Sequence, residues 1–165
     1  MTPAEFLTEA ERRLSGASYT VERRALRGGP AVVGQRKPFR PQWFLTQLKT
    51  SVVVAAVETV TFAGWQAFAA ESFDVAKSIK GGLPTGFQSG VAAVPVLAGV
   101  NVDPAAMAHA AQRPHHEWFK GFVLPALVDL STGAVAQYDG RIVVGAVYAP
   151  FLRKQRAIVT TIVRP

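Results

Sequence analysis

Apolar positions recur along the chain with distinct spacings, and each spacing predicts an element. Between residues 3 and 14 they fall at Phe6, Leu7, Ala10 and Leu14, one face of a helix. Thr2 can cap that helix, Pro3 suits its first turn and Gly16 stops it. Glu5, Glu9 and Glu11 precede Arg12 and Arg13, the order that complements a helix dipole. The pattern then changes to alternation. In "ASYTVERRALRGGPAVVGQRKPFRP", Tyr19, Val21 and Arg23 alternate with Thr20, Glu22 and Arg24, which predicts two strands joined around Gly28, Gly29 and Pro30. A third strand runs through "QWFLTQLKTSVVVAAVE". It alternates at first and is continuously apolar from 52 to 57, as a strand is when it passes from a half-exposed edge into the covered centre of a sheet.

Helical spacing returns from 61 to 80, with Phe62, Trp65, Ala69, Phe73 (or Ser72), Ala76 and Ile79 on one side and Gly81 and Gly82 at the end. "LPTGFQSG" reads as a loop, and 91–100 as a buried strand. Its Pro95 predicts an edge position or a bulge, because proline has no N–H to give a ladder. Asp103 followed by Pro104 starts a short helix that stops near Arg113, since Pro114 disfavours helix in the residue before it. "FVLPALVDLSTGAVAQYDG" predicts a hairpin turning at Ser131, Thr132 and Gly133. In the last segment, Phe151, Leu152, Ile158 (or Val159) and Ile162 have helical spacing, while the β-branched "IVTTIV" also suits a strand; helix is expected for at least its first half.

This order predicts an α+β fold, a single domain over 1–165 with a mixed or largely antiparallel sheet and helices packed on it. Composition agrees. The 165 residues suffice for a full core, and 49% hydrophobic against 18% charged residues describes a globular chain. The N-terminus has early glutamates and no apolar stretch of a secretory signal. The most apolar runs, "SVVVAAV" and "GVAAVPVLAGV", are about half of the ~20 residues a membrane helix needs, so no transmembrane span is expected. Cysteine is absent, which excludes disulfides, thiolate zinc sites and cysteine nucleophiles and suits a cytoplasmic protein. Arginine outnumbers lysine in an Ala-, Val-, Gly- and Pro-rich chain, a bacterial composition.

Charge changes the picture more. The formal net charge is +7, which favours nucleic acid, anionic lipid or an acidic protein as partner, although no nucleic-acid-binding motif stands in the sequence. In "RKPFRPQWF", Arg36, Lys37 and Arg40 are interleaved with Phe39, Trp43 and Phe44, a pattern that can neutralise phosphates and stack on bases, or can turn its aromatics into a core. "HAAQRPHHEW" holds every histidine of the chain. His109 and His115 are six residues apart with Pro114 between them, unlike the four-residue spacing of H-E-x-x-H. His115 and His116 point to opposite faces if extended. The segment suits a helix end, with an acid–base or phosphate-contacting site through His115 or His116 and Arg113 as the alternative.

The opening helix, three strands, helix and strand are also the core order of the PD-(D/E)xK nucleases, an analogy of fold alone. Gln47 and Lys49 form Q-x-K where such enzymes carry E-x-K, and no carboxylate stands between Glu22 and Glu58, so a metal would lack its main ligand. "KGGLPTGFQSG" has the glycines of a phosphate loop but follows a helix, the reverse of what that loop needs. Asp129 and Asp139 sit at strand-to-turn positions, where aspartate is ordinary turn chemistry.

The function expected from these readings is a non-enzymatic binding or interaction module for a polyanion or protein partner. Its contact residues would be Arg36, Lys37, Arg40 and Trp43 with Arg153, Lys154 and Arg156, and it would need no metal or cofactor. Homodimerisation through an exposed Pro95 strand is a further expectation. The alternative is a metal-dependent, nuclease-like hydrolase built on His115, His116, Glu117 and Asp129.

Overall fold

A computed structural model describes residues 1–26, 29–36, 47–80, 89–112, 121–141 and 148–163. Four helices and seven strands form an α+β fold on one mixed sheet. The elements are α1 (Pro3–Gly16), β1 (Thr20–Leu26), β2 (Gly29–Arg36), β3 (Gln47–Val60), α2 (Phe62–Lys80), β4 (Ser89–Val102), α3 (Pro104–Ala110), β5 (Phe122–Val123), β6 (Ala126–Asp129), β7 (Val135–Gln137) and α4 (Ala149–Thr160). A 3-10 turn, Thr161–Val163, follows α4.

Local chemistry accounts for the helix ends. Thr2 and Glu5 form a reciprocal capping box on α1, with Thr2 N–H donating to Glu5 at 2.8 Å and Glu5 N–H donating to Thr2 Oγ1 at 3.2 Å. Phe6, Leu7, Ala10 and Leu14 are its buried face, as their spacing predicts. The buried stripe of α2 is Trp65, Phe68, Ser72 and Ala76. Ser72 is buried, Phe73 is half-buried against Ala76, Val91 and Ala93, and Phe68 joins the stripe.

β1, β2 and β3 form an antiparallel meander, and β3 and β4 run parallel over their length. β5 and β6 both pair parallel with β4, and β7 closes a hairpin with β6. Helices cover both faces. On one, α1 and α4 pack Phe6, Leu14, Phe151 and Leu152 against Val52, Val54, Val94 and Val96. On the other, α2 and α3 pack Trp65, Phe68, Ala106 and Ala110 against Val33, Val53, Ala55 and Leu97. Double coverage is why β3 turns continuously apolar after Ser51: at its centre no face is left for water.

Pro95 lies elsewhere than its chemistry predicts. β4 is central, not an edge, and Pro95 stays in register with Val53. The neighbouring chain explains this. Leu124 N–H donates to Ala93 O and Leu130 N–H to Gly99 O, so the odd-numbered residues of β4 face β5 and β6. Pro95 therefore turns its missing donor to the break between β5, which ends at Val123, and β6, which starts at Ala126. The sheet edges are β1 and β7, which removes the Pro95 strand as a dimerisation edge.

Among the described residues no helix is long and apolar enough to cross a membrane. The final segment is helical through Thr160, and its Ile162 is buried in the 3-10 turn.

Candidate functional site

The shared direction of β3, β4 and β6 gives the sheet two distinct ends. Their carboxyl ends border an open crevice of about 440 Å³ lined by Thr59, Thr61, Asn101, Asp103, Asp129 and Ser131, among others. Such crevices commonly take ligands in sheets with parallel strands. Here the polar groups are already engaged. Asp103 caps α3 by accepting from Ala105 N–H at 2.8 Å, and its other oxygen accepts from Phe62 N–H at 3.2 Å, at the start of α2. Thr61 accepts from Gly64 N–H at 3.0 Å. Asp129 accepts from the backbone N–H and the hydroxyl of Ser131 and from Thr132 N–H, at 2.8, 2.6 and 3.2 Å. Burial opposes the charge on Asp129, but these hydrogen bonds outweigh it and hold its carboxyl below the usual carboxylate range. The turn they form is the predicted one, with Gly133 at φ +74° closing it.

The opposite end carries a groove of about 500 Å³ lined by Ser18, Thr20, Gln35, Arg36, Lys49, Thr50, Ser51, Ala76 and Ile79. None of these residues is acidic. Register explains their meeting. Thr20 pairs with Gln35 and Gln35 with Ser51, so one polar row crosses β1, β2 and β3 on the α2 side. Lys49 stands two residues before Ser51 and so shares its face. The last turns of α2 supply the apolar wall, Ala76 and Ile79. Arg36 lies 5.9 Å from the centre of the Tyr19 ring. Tyr19 in turn donates its hydroxyl to Gln155 Oε1 at 2.8 Å, and burial raises its phenol well above the usual value, against the opposing charge of Arg36.

Ser51 is 3% exposed and lines the groove floor beside Lys49. Ser18 and Thr20 are exposed at its mouth. Gln35 donates to Glu22 at 3.4 Å, and Glu22 is itself paired with Arg24 at 2.5 Å. The row was missed in the sequence because "QLKTS" reads as an alternating edge strand. Its signal is a set of polar residues on three adjacent strands, each next to an apolar run.

The predicted site residues divide sharply. Lys37, Arg40, Trp43, His115, His116 and Glu117 lie outside the described residues. Arg36 lines the groove. Arg156 is only 2% exposed and is held by Asp139 and the carbonyl of Tyr138, while Arg153 donates to the carbonyl of Gly140. These two cations dock α4 on the loop after β7. Lys154 is exposed. His109 accepts from the Trp65 indole N–H at 3.2 Å and meets Phe62 edge-on at 5.3 Å, which ties α3 to α2. Among the described residues no group of three or more His, Cys, Asp or Glu side chains could hold a metal ion.

Fold and groove together describe an α+β protein with a mixed sheet between helical layers and a cationic, hydroxyl-lined groove at one end. No family model, curated protein or solved structure matches the chain.

Proposed function

We propose that the protein is a non-enzymatic binding module for an anionic partner, seated at the groove that contains Arg36 and Lys49. The observation that carries this reading is the lining of that groove: two cations, three hydroxyl-bearing residues of β1 and β3, a carboxamide and no carboxylate. Two full charges outweigh the roughly half-charge of opposite sign at the C-terminal end of α2 beside them. The formal charge of +7 adds a long-range attraction for the same class of partner. In the sequence, Lys37 and Arg40 follow directly after Arg36. The hydrolase alternative draws on Asp129, whose carboxylate is committed to its own turn.

The test is fluorescence anisotropy of a labelled oligonucleotide with the full chain over a range of salt concentrations. Binding that weakens steeply with salt, and weakens further in the Arg36→Ala/Lys49→Ala variant, supports the module. Binding to no polyanion, together with a melting temperature raised by a divalent metal, would favour the hydrolase.

A further inference from the structure

We infer that β1 is a self-association edge, on which a second copy of this chain adds its own β1 antiparallel, about a two-fold axis at Arg23. The Pro95 strand is interior, so the sheet ends at β1 and β7, and β1 is the longer edge, seven residues against three. Thr20, Arg23, Arg24 and Ala25 are exposed along it. Hairpin geometry fixes what this edge offers. Leu26 pairs with Gly29 with two residues between them, so the even-numbered residues of β1 exchange hydrogen bonds with β2. Pro30 has no N–H and pairs with Ala25, a position where that ladder asks for none. The N–H and C=O groups of Val21, Arg23 and Ala25 therefore turn away from β2, and no described strand pairs on that side.

Charges on an edge strand usually deter pairing. Here they complement a second copy. Pairing β1 with itself over all seven residues sets Glu22 opposite Arg24 of the second copy, and Arg24 opposite Glu22 of the second copy. Both are non-hydrogen-bonded positions of the new ladder, where facing side chains stand closest. A register centred one residue to either side would set Glu22 against Glu22 or Arg24 against Arg24, so charge selects a single register. Arg23 meets Arg23, but each guanidinium is already held by Glu11 of its own chain at 2.6 Å. Within one chain Glu22 accepts from Arg24 at 2.5 Å and from Gln35 at 3.4 Å. The Glu22 and Arg24 side chains are nevertheless 40% exposed each, which leaves both within reach of a second copy. At each end of the ladder Leu26, packed against the core under α2, faces Thr20 of the second copy.

The experiment is sedimentation equilibrium of the full chain and two charge reversals, without any polyanion. The parent is expected to dimerise reversibly. Glu22→Arg and Arg24→Glu each bring like charges face to face and should each weaken the dimer at least about tenfold. An equimolar mixture of the two variants restores both unlike pairs across the axis, and should form a one-to-one dimer with about the parent's affinity. That recovery also shows that both variants fold. The chain has no cysteine, so Arg23→Cys can form a disulfide only between copies. Facing Cα atoms about 5.5 Å apart suit that bond, and Arg23→Cys should cross-link faster under mild oxidation than Lys154→Cys, at an exposed position away from the edge. A parent that stays monomeric, a dimer indifferent to either reversal, or a mixture no more dimeric than its separate variants would overturn the inference. Equal cross-linking at positions 23 and 154 would do the same.

Discussion

The two ends of the parallel strands are both polar, and they differ in the charge of their lining and in how far that charge is engaged by the backbone. At the carboxyl end, both oxygens of Asp103 and the turn-facing oxygen of Asp129 accept from backbone N–H groups. At the other end, Arg36 and Lys49 line a groove that holds no carboxylate, and Arg36 rests on an aromatic ring. The first end resembles a ligand crevice by its place in the sheet. The second resembles a site by its cationic lining. A side chain whose hydrogen bonds close within the fold is architecture, whatever its position.

This contrast can be broken by substitutions at either end. The largest effect is expected for Asp103→Ala, which orphans the starts of α2 and α3 together. It should cost about 2 kcal/mol, roughly 4–8 °C in melting temperature, and leave oligonucleotide affinity unchanged. Loss of affinity in a variant that still folds would make the crevice part of the binding site. Next is Arg36→Ala with Lys49→Ala. Oligonucleotide affinity at low salt should fall at least about tenfold, and the slope of log affinity against log salt should flatten by between one and two. An unchanged slope would place the contact elsewhere.

A smaller effect is expected at His109. Its replacement by alanine leaves the Trp65 indole N–H without its acceptor and should cost about 1 kcal/mol in chemical denaturation, with no change in binding. The smallest effect concerns pH. The Asp129 carboxyl is held below its ordinary value of 3.8 in the folded chain, so its hydrogen bonds stabilise the fold above about that pH. The contribution fades as pH falls through the lower, folded-state value. Asp129→Asn keeps a turn-forming side chain and removes the titration, so its melting temperature should fall less steeply with acid than the parent's. Identical acid profiles would remove Asp129 from the account.

Much of the fold was legible because hydrophobic spacing and end signals agree. Thr2, the Asp103-Pro104 pair and the Ser131–Gly133 turn fall where their chemistry requires, whereas Gly16 is the last residue of α1 and the left-handed residue beyond it is Ser18. Pro95 misled because a missing donor was read as an edge; the break between β5 and β6 that accommodates it arises from pairing far along the chain. The groove was legible only at Arg36. Thr20, Gln35, Lys49 and Ser51 stand on β1, β2 and β3, and nothing in their local sequence tells that Thr20, Gln35 and Ser51 share a row until the register is known. Arg153 and Arg156 show the converse. Their sequence reads as a basic patch, and the fold spends Arg156 on Asp139.

The central claim is that the partner seats at the start of β3, and amide-shift mapping of the full chain with a short oligonucleotide at low salt tests it most directly. The account predicts that the amides of Thr20, Gln35, Arg36, Lys49 and Ser51 move and that those of 101–105 and 129–132 stay. Shifts confined to the latter residues, with the β3 start silent, would contradict it.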